Sequence, residues 1–310
     1  MSDPDAQIEP PGDAVEVLPA EGSATEVVVA PSADAGWVGL RGAESLSWEQ
    51  ADLVAARHGA AIVLVAGNQE SGKTTLLLQM WAQFLRGPFA GYRFAGSETM
   101  DAFDDRHYPC RVDSGNPYPI TEHTTDTDMR FLHIRVADVT GERRALLMTD
   151  LWGELFKDVA MGAKVTERVP VAPKADKMIV IIDGEEVADD SRREAALRNA
   201  KTLVGAFASE GGLRHHAPLL VLLSKSDLLN AKDKEWYGPK VVRLVEFAEA
   251  SGFTAVEEHR VAARPLDADP EGLEKVLEWM CSRDERTPVI EPMRTPGFGR
   301  VFTTGRMGLP

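Results

Sequence analysis

Residues 61–81, AIVLVAGNQESGKTTLLLQMW, restrict the fold more than any other stretch of the chain. The continuous apolar run AAIVLVA (60–66), with β-branched members, fits a strand buried on both faces. A small-residue turn follows, then a helical pattern from Lys73 to Arg86 that Gly87-Pro88 stops. The turn Gly67-Asn68-Gln69-Glu70-Ser71-Gly72-Lys73-Thr74 fits G-x-x-x-x-G-K-[ST], and Thr75 continues into the helix. In such a turn the backbone N–H groups wrap phosphate oxygens at the positive end of the helix. Gly67 and Gly72 allow the close approach, Lys73 adds a point charge for the terminal phosphates, and the Thr74 hydroxyl suits magnesium. A ligand-free glycine corner would leave Lys73 unexplained.

The rest of the chain alternates in the same way. Buried-strand runs recur at 145–149, 177–182 and 218–223, with a weaker one near 256–263; helical patterns cover 191–209, 239–250 and 271–282. The expected fold is a three-layer αβα domain around a mostly parallel sheet. RFLHIRVADVTGERRALLMTD holds two strand-like runs around Thr140-Gly141 and predicts one antiparallel hairpin strand. Order is expected to begin near Ser47, where SWEQADLVAARHG carries a Ser cap and ends in Gly59. The domain reading is an acidic disordered tail over 1–45, the α/β domain over 46–283, and an extended or disordered tail over 284–310.

Charge excludes some partners. The formal net charge is −15, and no basic block exists to neutralise a nucleic-acid backbone. Residues 1–40 hold eight acids and no Lys or Arg, so TEVVVA within them reads as part of a solubilising tail rather than a docking strand. No apolar run reaches the roughly 18–20 residues of a membrane span. The N-terminus lacks a secretory pattern, and Cys110 and Cys281 lie far apart without metal spacing, which fits a reducing cytoplasm.

A triphosphate sensor needs a second half-site. Of two D-x-x-G strings, Asp138–Gly141 falls in the hairpin turn, whereas Asp150-Leu151-Trp152-Gly153 ends a strand beside the phosphate turn. There the Asp150 carboxylate can hold a magnesium-bound water and the Gly153 N–H can reach the γ-phosphate. The strand PLLVLL ends in Ser224-Lys225-Ser226-Asp227. An aspartate at that place accepts from N1–H and the exocyclic amine of guanine, donors that adenine does not present together. The Lys225 stem can pack along the purine. Ala262-Ala263-Arg264 closes the last strand, and a small residue such as Ala263 lets a backbone N–H approach guanine O6. Asp183 reads as a loop cap beside the pocket, and His215-His216 as a surface pair rather than a metal chelate.

These residues resemble P-loop GTPases of the Ras and translation-factor class over roughly residues 60–282. The likeness rests on GNQESGKT (67–74), DLWG (150–153), SKSD (224–227) and AAR (262–264). FAGYRFAGSETMDAFDDR with LLMTDLWGELF is similar, more narrowly, to bacterial double-GTPase families assigned to conflict or defence gene clusters. The resemblance implies GTP and GDP as ligands, Mg²⁺ as cofactor, and a protein effector or activating partner, a second GTPase among the candidates. It implies a magnesium-sensing threonine before the hairpin; TEHTTDTDMR offers Thr121, Thr124, Thr125 and Thr127, with Thr125 and Thr127 preferred and undecided between them. Ser224 stands where the family has Asn or Thr, which predicts a weaker brace between the base loop and the phosphate turn. Glu154 stands where the family orients water with Gln or His; its carboxylate either repels the γ-phosphate or acts as a base, which predicts slow intrinsic hydrolysis through Lys73, Gly153 and Glu154 that awaits an arginine from a partner. A short helix is expected near 97–107. Arg106 and Arg111 are read as solvated surface ahead of catalytic fingers. Output is expected from the loops around 115–128 and 150–165. The rivals are an ATPase or small-molecule kinase on the same turn, and a binding module whose nucleotide is only structural.

Overall fold

Alternate side chains of the central strands point into two separate apolar layers, which makes this a three-layer αβα domain. In β1 (Ala61–Ala66), Ile62, Leu64 and Ala66 face one layer while Val63 and Val65 face the other. A computed structural model describes residues 45–107, 129–209, 212–214, 216–265 and 268–283, all within one unit, Arg41–Pro310. Thr121, Thr124, Thr125, Thr127, Cys110, Arg111, His215 and the tails 1–44 and 284–310 lie outside the described residues, whereas Ser45, the last residue of the expected disordered tail, is buried.

The chain runs α1 (Trp48–His58), β1, α2 (Lys73–Arg86), β2 (Arg93–Gly96), α3 (Met100–His107), β3 (Arg130–Ala137), β4 (Arg143–Asp150), α4 (Gly153–Ala160), α5 (Val165–Arg168), β5 (Lys177–Asp183), α6 (Gly184–Ala188), α7 (Arg193–Ala208), β6 (Pro218–Ser224), α8 (Ala231–Ala250), β7 (Thr254–Arg260) and α9 (Leu273–Cys281). The seven strands lie in the order β2-β3-β4-β1-β5-β6-β7. From β4 to β7 all pairs are parallel, and β3 runs antiparallel to both β2 and β4. One layer draws on α1, α4, α7 and α8 through Val54, Phe156, Phe207 and Leu244; the other draws on α2, α3 and α9 through Leu77, Phe103 and Leu277. No helix of the described residues is long and apolar enough to cross a membrane.

Local chemistry accounts for the ends. Ser47 and Gln50 form a capping box at the start of α1, and Gly59 closes the helix in the left-handed region. Asp138 turns the β3–β4 hairpin by accepting from the backbone N–H groups of Thr140 and Glu142, both at 2.9 Å. Asp138–Gly141 is therefore a turn, as its sequence context predicts.

Three elements depart from the sequence expectation. β2 is a four-residue edge strand with no buried residue, too short and too mixed in polarity to show a period. The 150–165 segment, expected as a loop, contains α4, which buries Leu155, Phe156 and Val159 on one face. The helix expected from residue 239 starts at Ala231, because Asn230 and Asp233 form a capping box one full turn and more before Pro239. Pro239 is then an interior residue, and the buried Tyr237 and Val241 on either side keep the helix continuous.

Candidate functional site

The carboxyl ends of β1, β4, β5 and β6 meet at one margin of the parallel sheet, where ligands of such sheets bind. From β1 the chain enters the loop 67–72 and turns into α2 at Gly72, whose φ of 88° favours glycine. Lys73, the first residue of α2, is only 8% exposed; its Nζ donates to Gly67 O at 3.0 Å and Asn68 O at 2.6 Å. It also lies over the Phe156 ring at 5.9 Å. Burial pushes the Lys73 ammonium down to about 8, against the opposing pull of the Asp150 charge. An incoming polyanion is the partner that restores such a cation. Ser71 folds the loop on itself, its Oγ donating to Asn68 O at 2.8 Å. Glu70 at the tip sits at φ 62°, a left-handed conformation in a non-glycine residue.

Asp150 ends β4 with 1% exposure, and the Thr74 Oγ1 donates to its Oδ1 at 3.0 Å. A buried carboxylate and a hydroxyl in contact form a hard-oxygen pair whose chemistry fits Mg²⁺. Next to it, Gly153 opens α4 against the loop 67–72: a Cβ there would collide with the backbone N and Cα of Gln69 and lie 2.8 Å from Asn68 C. Glu154 follows, paired with Lys157 of its own helix at 3.2 Å. Replacing Gly153 with alanine removes about 1 kcal/mol of helix penalty, but the collision is with backbone and costs about 1–3 kcal/mol. Denaturant unfolding will therefore show Gly153→Ala less stable than wild type; equal or higher stability would mean that α4 does not rest on the loop.

The β6 end supplies the second loop. Ser224 Oγ donates to Ser71 O at 2.8 Å, so a direct hydrogen bond ties this loop to the loop 67–72. The serine brace is therefore a single buried bond, and β5 and β6 run in register beside it, Asp183 opposite Ser224. Lys225, at φ 47°, turns its ammonium to Asp183 at 3.0 Å and Glu185 at 2.9 Å. Burial disfavours that ammonium, yet the bond to Glu185 and the charge of Asp183 outweigh it and raise its pKa. Asp183 also caps α6, accepting from Glu185 N at 2.9 Å. Lys225 is thereby held by two acids, and Glu185 is a neighbour that sequence reasoning missed. Asp227 lies in the single turn Ser226–Leu228, exposed and without a hydrogen-bond or ion-pair partner among the described residues. The Ser226 N–H donates to Val261 O at 3.1 Å, which brings this turn to Ala262 and Ala263.

Arg106 is a second residue that sequence reasoning misplaced. It is not solvated surface: Nη1 lies 3.1 Å from Asp150 Oδ2, and the side chain is 31% exposed. A signal was present, since Arg106 follows the buried Phe103 by three residues and so shares its helical face.

Among solved structures, the chain is similar to translation elongation factor SelB from Methanococcus maripaludis in complex with the GTP analogue GppNHp, at 12% identity and TM-score 0.33, over 66% of this chain and 30% of that one. It is similar to bacterial selenocysteine-specific elongation factor EF-Sec at 16% identity and TM-score 0.34, over 66% and 26%. It is also similar to the GTPase-like domain of Ski7 from S. cerevisiae, bound to GTP, at 13% identity and TM-score 0.43, over 78% and 54%. The chain thus spans less than a third of the two elongation-factor chains and about half of the Ski7 chain. No curated protein matches it by sequence. The Double-GTPase 2 profile matches residues 61–280, from the first residue of β1 almost to the end of α9. With that match over the greater part of its length, the chain belongs to the Double-GTPase 2 family.

Proposed function

We propose that the chain is a GTP-binding switch that uses Mg²⁺ and hydrolyses GTP slowly, acting through a protein partner in a bacterial conflict or signalling system. Family membership supports guanine nucleotide as the ligand. The observation that carries the reading is the 2.8 Å bond from Ser224 to Ser71, which joins a loop offering an unpartnered carboxylate, Asp227, to a loop built around a buried lysine. One loop reads the base and the other grips the phosphates.

In this reading the N–H groups of Asn68 to Thr75 and the positive end of α2 surround the β- and γ-phosphates. Lys73 moves its ammonium from the carbonyls of Gly67 and Asn68 to the phosphate oxygens. Thr74 and Asp150 hold Mg²⁺, with Thr125 or Thr127 as a further ligand. When bound, the metal would supply charge neutralisation on the phosphates. Gly153 donates its N–H to the γ-phosphate, and Asp227 and the Ala263 N–H read guanine. Charge placement, rather than a covalent intermediate, lowers the barrier to attack by water.

Glu154 sets the rate. A carboxylate beside the γ-phosphate repels it and orients water less well than an amide, so intrinsic hydrolysis by the wild type will be slower than about 10⁻² s⁻¹. Single-turnover phosphate release from wild type and Glu154→Gln checks this, with the variant faster. Fast turnover by the wild type alone overturns it.

A further inference from the structure

α3 delivers a cation to the acid that the magnesium reading assigns to the metal. Asp150 Oδ1 already accepts from Thr74, and its other oxygen, Oδ2, faces Arg106 Nη1 at 3.1 Å. That approach is ionic, because neither atom makes an aligned hydrogen bond. The second arm of the guanidinium donates to the buried Ser45 Oγ at 3.2 Å. α3 itself is clamped to the helix that carries Lys73: Trp81 stacks on Phe103 with ring centroids 5.1 Å apart, and Trp81 Nε1 donates to Asp104 Oδ1 at 3.0 Å. The arginine is therefore anchored over Asp150 at two points.

A buried carboxylate needs a counter-charge, and one cation suffices. A guanidinium and a divalent cation on the same carboxylate repel each other at close range in a shielded site. We infer that Arg106 and Mg²⁺ are mutually exclusive on Asp150. The guanidinium holds Oδ2 of the carboxylate, the oxygen beside the one that Thr74 reaches, and it leaves Oδ2 when metal and nucleotide load. Arg106 thus sets the metal affinity of the site, and α3 is linked to the loaded state through one side chain. This rests on the nucleotide reading above and adds to it a residue outside GNQESGKT, DLWG, SKSD and AAR.

The test uses the full chain bound to GDP, with Mn²⁺ as the metal probe read by electron paramagnetic resonance. GDP binding without added metal is measured first. Arg106→Gln and Arg106→Met will each bind Mn²⁺ at least threefold more tightly than wild type, because the competing cation is gone. Arg106→Lys, which keeps the charge, will lie closer to wild type than either. An affinity change below threefold in both neutral variants overturns the inference alone; a chain that binds no GDP overturns the nucleotide reading and this inference with it. If neither neutral variant folds, the wild type decides by the Arg106 Nε–H resonance of the GDP complex. A shift on adding Mg²⁺ supports displacement, and an unmoved resonance overturns it.

Discussion

Lys73→Met will bind GDP about 10²–10⁴-fold more weakly than wild type while remaining folded. The loss follows from deleting the charged partner of a shielded polyphosphate, which costs about 3–5 kcal/mol. The fold survives because two effects nearly cancel in the nucleotide-free state. The variant no longer buries a cation whose pKa is lowered from 10.5 to about 8, a relief of about 3 kcal/mol at roughly 1.4 kcal/mol per unit. It leaves the carbonyls of Gly67 and Asn68 without the Lys73 ammonium, a loss of about 1–3 kcal/mol. The net change in stability is within about 2 kcal/mol of zero. The pH dependence has a definite sign. Below about 8 both folded and unfolded chains carry the charge on Lys73, and the folded wild type bears the full burial penalty. Between about 8 and the unfolded value near 10.4 the unfolded chain binds more protons. Wild-type stability therefore rises relative to Lys73→Met as pH increases through that window. Paired urea titrations across it measure the difference; a falling difference would contradict the burial of the ammonium.

Asp227→Asn will exchange the base that the site accepts. The carboxylate offers acceptors only, matching the N1–H and amine donors of guanine. An amide keeps one acceptor and presents N–H groups where guanine also presents donors, so two donors confront each other in a shielded contact. Sites built to pair such groups reject the mismatched base strongly, by up to about 10⁴–10⁵. GDP affinity will fall at least 10²-fold, and the xanthine nucleotide, with a carbonyl in place of the amine, will gain in affinity. ATP affinity will not change. An Asp227→Asn protein that still binds GDP as wild type does would remove the aspartate from the base site.

Where a short pattern obliges a particular backbone, the sequence was informative. Gly67 to Thr74 announces a strand, a tight loop and a helix, and the structure has all three. Runs such as KMIVII and PLLVLL show burial on both faces, and the structure buries β5 and β6 at every position. The hairpin follows from Thr140-Gly141 between two apolar runs. What escaped depends on tertiary context. β2 is held as a strand by pairing with β3, not by its own four residues. The 150–165 segment reads as a loop by its place after DLWG, although Leu155, Phe156 and Val159 mark the helical face of α4. Pro239 misled because proline is at home in the first turn of a helix, and only the Asn230–Asp233 cap shows that the helix began earlier. Arg106 was read from its charge, when its spacing from Phe103 carried the information.

The account stands on guanine recognition at Asp227 joined to phosphate binding at Lys73. Competition against a fluorescent GDP on the wild-type protein tests that union most directly, with unlabelled GDP and ADP titrated side by side. The account predicts that GDP displaces the probe at least 10²-fold more effectively than ADP. Equal displacement by the two nucleotides would contradict it.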